Sequence, residues 1–296
     1  MKSKISVNEL LVCDLIRAQF PQWSHLAVRP VARGGWNNHS FRLGEELLVR
    51  MPRESAYEAA VEKEQRWLPF LAPSLPIAIP KPRALGQPTA QYPMKWSIYT
   101  WLPGSTISPA RIASHQQCAI QLAQFLVALR SADTTGGPLA GAHSFSRGGA
   151  LGTYDEEARR AIALLAEKID AAAAIRCWER ACATQWPNAP VWVHGDISPG
   201  NLLFQNDALN AVIDFGQLAV GDPACDLVIA WTTFDHATRT HFRYALELDE
   251  STWARARGWA LWKALIVAAE LTQTNAMEWA DPWRVIEVVL AEDRDR

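Results

Sequence analysis

The chain has 296 residues, with 31 acidic and 29 basic side chains and a formal net charge of −2. A balance this close to neutral argues against nucleic acid held by general electrostatics, and no apolar run approaches the roughly 18 residues that a membrane span needs. The five cysteines are scattered without C-x-x-C pairs, which is typical of a reduced, cytoplasmic protein.

The first part of the chain predicts a small antiparallel sheet. Five runs rich in apolar and β-prone residues predict its strands: 26–33, 39–43, 46–51, 83–86 and 96–100. One helix is inserted after the third strand; it starts at Ser55 and Glu58, which match a capping box, and ends near Ala72. An amphipathic helix is predicted ahead of the sheet, within residues 1–20.

Beyond residue 100 the pattern changes to helices. Trp101-Leu102-Pro103-Gly104 combines the two residues that break regular structure, so we place the boundary there, between an N-terminal domain at 1–100 and a C-terminal domain at 101–296. Apolar stripes of helical period predict helices in the second domain that start near Ser114, Asp155, Ser251 and Asp281. Residues 136–152 predict a loop. The expected fold class is α+β, with a small sheet lobe ahead of a larger helical lobe.

Two short motifs in the second domain carry the chemistry. His194-Gly195-Asp196-Ile197-Ser198-Pro199-Gly200-Asn201 sets an Asp and an Asn five residues apart, and Ile213-Asp214-Phe215-Gly216 adds an Asp thirteen residues later. Phosphoryl transfer needs one carboxylate to orient the acceptor hydroxyl, and an amide with a second carboxylate to hold metal on the phosphates. Flanking apolar runs predict a hairpin that brings the three side chains to one mouth. The alternative is that Asp196 and Asn201 merely cap a turn.

With these motifs, the chain resembles the aminoglycoside phosphotransferase-type small-molecule kinases, a branch of the protein-kinase-like fold. The resemblance covers nearly the whole chain in order. Its most specific part is the H-G-D motif with the downstream Gly221-Asp222-Pro223-Ala224-Cys225-Asp226-Leu227, where protein kinases carry H-R-D and A-P-E. It implies a two-lobe fold, with a nucleotide-binding lobe at 1–100 and a catalytic and acceptor-binding lobe at 101–296.

The resemblance also implies a role for each matching residue. Asp196 is the expected catalytic residue, and Asn201 and Asp214 are the expected magnesium ligands. His194 and Asp226 are expected to support the loop rather than touch substrate. The residues implied in nucleotide binding are Gly34, Gly35 and Ser40 over the phosphates, Arg50 with its partner Glu64, and the backbone of Thr100 and Leu102 beside the purine.

Arg50 departs from the family's usual pattern, in which this strand position holds a lysine. Arginine can still neutralise phosphates and pair with a carboxylate, but it is bulkier and its geometry is fixed. Glu64 lies on the apolar face of the predicted helix with Leu68 and is the expected partner, while Glu62 is the alternative.

The implied function is transfer of a γ-phosphoryl group from ATP or GTP, with Mg²⁺, to a hydroxyl of a small molecule. The enzyme is expected to be a cytoplasmic monomer or homodimer without nucleic-acid or membrane partners, and antibiotic resistance is one role that it could serve. The acceptor stays open between an aminoglycoside and a metabolic compound such as an amino alcohol, a sugar or a macrolide-like molecule. The rival from a different class is a nucleotide-binding pseudokinase, supported by Arg50 and the irregular glycine loop.

Two sets of side chains near the C-terminus bear on the acceptor. Five tryptophans there predict either core packing or an aromatic wall against the substrate; they are Trp253, Trp259, Trp262, Trp279 and Trp283. Seven acidic residues either bind a cationic aminoglycoside or form a solvated face; they are Asp235, Glu247, Asp249, Glu250, Glu270, Glu278 and Asp281.

Overall fold

The structure of the protein, a computed structural model, describes residues 7–31, 37–106, 112, 114–272 and 281–294. The chain divides into two compact units, Met1–Pro73 with Ala78–Pro103 and Ser74–Ile77 with Gly104–Arg296. The chain leaves the first unit for the last time at Pro103, inside the predicted linker. The roles assigned to the two lobes stay predictions.

The first unit is built on one antiparallel sheet of five strands, in the order β1-β2-β3-β5-β4. The strands are β1 Val28–Pro30, β2 Asn38–Leu43, β3 Leu47–Pro52, β4 Pro82–Gly86 and β5 Trp96–Thr100. Two helices accompany them, α1 Glu9–Gln19 and α2 Glu58–Leu71. The predicted sheet, with one helix inserted after its third strand, is confirmed.

The core of this unit forms where α1 meets the sheet. Its largest members are aromatic and aliphatic side chains that alternate along β2, β3 and β5, because successive residues of a strand point to opposite faces. They pack with the apolar stripe of α1; the cluster includes Val12, Leu15, Ile16, Phe41, Leu43, Val49, Met51, Trp96 and Ile98.

The capping box predicted at Ser55 is wrong. Ser55 opens a 3₁₀ turn, Ser55–Tyr57, and neither this turn nor α2 has a side-chain cap at its N-terminus. The Glu58 carboxylate instead accepts a hydrogen bond from the backbone N–H of Lys95, at 2.8 Å. A hydrogen bond to Lys95, the residue before β5, therefore replaces the local one.

The second unit is mainly helical. Its helices are α3 His115–Ser131, α4 Asp155–Leu164, α5 Ala171–Cys182, α6 Ile229–Thr232, α7 His236–Leu246, α8 Glu250–Ala268 and α9 Pro282–Arg294. Its strands are β6 Val191–Val193, β7 Leu202–Gln205, β8 Ala208–Val212 and β9 Ala219–Gly221. β7 and β8 form the predicted antiparallel hairpin, and β6 pairs with β9 in a second antiparallel ribbon.

Helix α5 was missed in the sequence, although a signal for it is present. Asp170 accepts a hydrogen bond from the N–H of Ala173, as an N-cap does. A buried stripe with helical spacing follows: Ala173, Ala174, Cys177, Trp178 and Ala181. Because the stripe is mostly alanine and cysteine, its side chains are smaller than the leucines and isoleucines of the predicted helices.

Helix α8 forms the centre of the second unit. Trp253, Trp259 and Trp262 on this helix are buried, which favours core packing for these three indoles. Trp283 on α9 is 39% exposed, and Trp279 lies outside the described residues. No helix of the described part of the chain has both the length and the apolar character needed to cross a membrane.

Candidate active site

The eight-residue motif connects β6 to β7 and is tied to the strand that leads to Asp214. A 3₁₀ turn, Pro199–Asn201, closes the motif, and the N–H of Asn201 donates to the carbonyl of Ser198 at 2.9 Å. The carbonyl of Asn201 in turn accepts the N–H of Ile213 at 2.9 Å. This cross-link fixes the loop beside the residue that precedes Asp214.

Asp196 and Asn201 are bonded directly to each other. The Asn201 amide donates from Nδ2 to the Asp196 carbonyl at 2.8 Å and to Asp196 Oδ2 at 3.1 Å. Asn201 is buried and Asp196 is partly exposed. Because both bonds use the amide nitrogen, Oδ1 is the Asn201 atom that could bind a cation.

Asp214 has an unusual backbone conformation. It follows β8 with φ 64° and ψ 68°, in the left-handed region that few non-glycine residues adopt and that aspartate tolerates better than most. A 3₁₀ turn, Phe215–Gln217, follows at once. Conformations of this kind cluster at functional sites, so the strain supports a role for this residue.

The pKa of Asp196 is shifted by burial and by the charged and polar groups around it. Burial and the negative charge of Asp214 raise the pKa of Asp196, while Arg147, Lys263 and the hydrogen bond from Asn201 lower it; the net shift is upward. Two of the predicted site carboxylates therefore repel each other, and two cations lie close enough to offset part of that repulsion.

His194 uses both ring nitrogens on backbone groups. Nδ1 accepts the N–H of Asp196 at 3.1 Å, and Nε2 lies 3.0 Å from the carbonyl of Ile213. A backbone N–H can only donate, so Nε2 carries the proton and the imidazole is neutral. Burial lowers the pKa of His194 and so favours this form. These contacts support the scaffolding role that was predicted for it.

Asp226 fixes the start of the eight-residue motif through two hydrogen bonds. Its Oδ2 accepts the N–H of His194 at 2.8 Å and its Oδ1 accepts the N–H of Gly195 at 2.7 Å. The carboxyl group is buried, and burial raises its pKa. Gly195 has φ +85°, and a Cβ there would lie 2.8 Å from the carbonyl oxygen of Gln217. Only glycine fits between His194 and Asp196.

Arg255 is a supporting residue that the sequence analysis missed. From the buried face of α8 its Nε donates to Asp222 Oδ2 at 2.6 Å, and the side chains are only 3% and 11% exposed. Asp222 also accepts the N–H of Ala224 at 3.0 Å, at the start of the turn that carries Asp226. Two arginines inside an apolar helical pattern, Arg255 and Arg257, were the available signal.

We expect Arg255→Met to lower the free energy of unfolding by about 3–5 kcal/mol, because it leaves the buried Asp222 carboxylate without its cation. Chemical denaturation measures this. The matched control is Arg159→Met, which removes an exposed arginine paired with Asp155 and Glu179 and should leave the free energy of unfolding nearly unchanged. Equal losses in the two variants would contradict a structural role for the buried pair.

In the first unit, Arg50 pairs with Glu64. Arg50 Nη1 lies 3.6 Å from Glu64 Oε1, and both side chains are largely buried. Glu62, the alternative partner, pairs with Lys95. The hydroxyl of Tyr99 on β5 also donates to Glu64, a partner that no local pattern predicted. Burial, and then the charge of Glu64, raise the pKa of Tyr99 well above 10.

The remaining residues predicted for nucleotide binding are only partly described. Gly34 and Gly35 lie outside the described residues. Ser40 sits opposite Arg50 in the register of β2 and β3. The N–H of Thr100 donates to the carbonyl of Lys81 at 2.9 Å, so any backbone contact of Thr100 with a purine would have to use its carbonyl. No backbone hydrogen bond within the described part of the chain uses the N–H of Leu102.

A family model described as the phosphotransferase enzyme family matches residues 28–259. Among solved structures, the GDP complex of wild-type aminoglycoside 2'-phosphotransferase-IIIa is 18% identical, with a TM-score of 0.69, and the match covers 98% of this chain and 99% of that one. A macrolide 2'-phosphotransferase from Brachybacterium faecium is 20% identical, with a TM-score of 0.61 and 96% of each chain covered.

A third similar structure is a streptomycin–ATP ternary complex of APH(2")-IIa, at 16% identity and a TM-score of 0.61, with 99% of this chain and 97% of that chain covered. A search of the curated proteins found no match. Identities this low support the fold, and the family rests on the model match.

Proposed function

The chain belongs to the phosphotransferase enzyme family, and from that premise we propose that it transfers the γ-phosphoryl group of ATP or GTP, with Mg²⁺, to a hydroxyl of a small organic molecule. The expected kinase-like α+β fold and the family resemblance are confirmed. The individual roles of the site residues, the metal, the acceptor, the cytoplasmic location and the oligomeric state are proposals.

One observation carries the assignment. A single hydrogen-bonded unit joins the acceptor-orienting carboxylate to the two candidate metal ligands. The Asn201 amide bonds Asp196, and the Asn201 carbonyl bonds the residue before Asp214. Such groups have to be fixed relative to one another because phosphoryl transfer is catalysed mostly by positioning and electrostatics.

The donor set fits a magnesium ion. Asn201 offers an amide oxygen and Asp214 a carboxylate, both hard oxygen donors of the kind that Mg²⁺ binds, with phosphates and water completing its coordination. The repulsion between Asp196 and Asp214 is a further reason for a cation here. When bound, the ion would neutralise charge on the nucleotide phosphates. No cluster of three or more His, Cys, Asp or Glu side chains suited to a metal occurs among the described residues.

Asp196 would act on the acceptor. The bond from Asn201 to Oδ2 fixes the rotation of the carboxylate, so Oδ1 is left to accept the acceptor's hydroxyl proton. The raised pKa of Asp196 makes it a better proton acceptor than an ordinary aspartate, although orientation contributes more than basicity in a loose transition state. Arg50 and Glu64 would hold phosphates in the other unit.

The acidic residues near the C-terminus do not favour a polycationic acceptor. Asp235, Asp249 and Asp281 accept backbone N–H bonds at the starts of α7, α8 and α9, and Glu250 pairs with Arg243 and Arg257. Four of the seven therefore have structural partners, and Glu278 lies outside the described residues. Kanamycin and streptomycin occur in similar structures, which keeps aminoglycosides in the panel to be tested.

The test is an acceptor screen with ATP and with GTP. Aminoglycosides, macrolides, amino alcohols and sugars are offered with Mg²⁺, and both nucleotide consumption and the phosphorylated product are measured. We expect an acceptor-dependent signal that EDTA abolishes. Asp214→Asn should lower the kcat for acceptor phosphorylation by about 10²–10³-fold, the loss seen when one preorganised electrostatic group is removed.

Two results would overturn the proposal. One is turnover that is unchanged in Asp214→Asn. The other is magnesium-dependent nucleotide binding with no product from any acceptor in a broad panel, which would favour the pseudokinase.

A further inference from the structure

Arg147 borders both segments of the candidate active site, although no sequence motif includes it. A Cβ built on Gly195, next to Asp196, would lie 3.1 Å from the Cβ of Arg147. The Arg147 Nε lies 3.4 Å from Oε1 of Gln217, in the turn that follows Asp214. The side chain therefore starts beside the backbone that leads into Asp196 and reaches the turn that follows the candidate metal ligand.

Two buried indoles hold the guanidinium group in place. Arg147 Cζ lies 4.6 Å from the ring centroid of Trp262 and 4.9 Å from that of Trp259. Trp262 is itself fixed, because its Nε1 donates to Glu157 at 2.8 Å and the ring of Tyr154 lies 4.1 Å away. Stacking occupies the face of a guanidinium and leaves the N–H groups that do not bond Gln217 available to an oxyanion.

The charge of Arg147 is not used in an ion pair with any described residue, unlike that of Arg243 or Arg255 on neighbouring elements. Arg147 is partly exposed. Lys263 adds a second positive charge; it lies one helical turn beyond Trp259 on α8, and both cations act on Asp196. Two cations from different elements thus act on the same carboxylate.

We propose that Arg147, with support from Lys263, binds an oxyanion next to Asp196. This rests on the proposed function, which supplies two sources of that chemistry: the phosphoryl group in transfer and an acidic group on the acceptor. A guanidinium fork matches the oxygens of either group. Charge on a transferring phosphoryl group is stabilised by arginine in other phosphotransferases.

The first test needs no acceptor. Inorganic phosphate is titrated calorimetrically into the protein saturated with Mg²⁺ and ADP. Because ADP fills the nucleotide site, the phosphate is left to bind in the space beside Asp196. Arg147→Met should weaken phosphate binding about tenfold or more, since it removes hydrogen bonds to a charged group. Arg147→Lys should retain part of the affinity.

The matched control is Arg243→Met. Arg243 also stacks on an indole of α8, with Cζ 4.6 Å from the Trp253 centroid, but its charge is paired with Glu250. This variant should bind phosphate as the wild type does. Circular dichroism and denaturation of each variant separate a folding defect from a binding defect.

The second test identifies the source of the oxyanion. If it is the phosphoryl group in transfer, Arg147→Met lowers kcat with every acceptor, water included, by about 10²–10³-fold and changes KM little. If it is an acidic group of the acceptor, the variant raises KM for a sugar acid such as gluconate and leaves the kinetics with glucose unchanged. Either result supports an oxyanion site.

The inference is overturned if folded Arg147→Met matches the wild type in phosphate affinity and in kcat and KM for all acceptors. Its failure is distinct from failure of the proposed function. The latter appears as a lack of product from every acceptor, together with nucleotide hydrolysis unaffected by Asp196→Asn, whatever the phosphate titration gives.

Discussion

Asp196→Asn is expected to lower kcat for acceptor phosphorylation by about 10²–10⁴-fold, the contribution typical of a positioned acid–base group. The amide has the size of the carboxylate but cannot take the acceptor's proton. The carboxylate is also placed by Asn201, whose Nδ2 bond at 3.1 Å would face an amide instead of an anion. The KM for nucleotide should change little, because the nucleotide does not depend on this proton acceptor. Steady-state rates with the best acceptor of the screen measure both constants.

The matched control for this prediction is Asp207→Asn. Asp207 is exposed in the turn between β7 and β8, with φ 63°, a conformation that asparagine also tolerates. The same chemical change there should leave kcat and stability as in the wild type. A full-rate Asp196→Asn enzyme would remove Asp196 from the catalytic role and leave it as a loop residue bonded to Asn201.

The sequence was most informative where local patterns determine structure. Alternation and turn residues located the five strands of the first unit to within a few residues, with Trp96–Thr100 matched at both ends. The spacing of Asp196, Asn201 and Asp214 placed them on one loop and one returning strand, and the structure brings the three together. Strand period and loop chemistry both act over a few residues, so one sequence suffices to see them.

The sequence was uninformative about partners supplied by distant segments. Two buried hydrogen bonds join residues that are far apart in the chain, Tyr99 to Glu64 and Arg255 to Asp222. The failed capping box has the same cause, because Glu58 satisfies the N–H of Lys95 instead of its own helix. Arg147 lies in a segment that was predicted only as a loop. Its position becomes meaningful once α8 places two indoles around it.

Asp226→Ala is expected to combine a loss of stability with a loss of catalysis. It leaves the buried N–H groups of His194 and Gly195 without an acceptor. The free energy of unfolding should fall by about 1–3 kcal/mol for each unsatisfied group. Those two residues lead directly into Asp196, so kcat should fall by about 10²-fold even at temperatures where the variant is fully folded, since a small misplacement of reacting groups has effects of this size. Denaturation and single-temperature kinetics separate the two effects.

Two further variants test whether Asp226 acts by accepting two backbone N–H bonds. Asp226→Asn keeps one acceptor oxygen but turns an N–H₂ group toward a backbone donor, so it should lose less stability than the alanine variant and still lose activity. Asp249→Ala removes a carboxylate that accepts one N–H at the start of α8; it should cost about 1 kcal/mol and leave kcat unchanged. If Asp226→Ala behaves like Asp249→Ala, the geometry of the loop does not depend on Asp226. In that case the neighbouring bonds of His194 to Asp196 and Ile213 hold the loop.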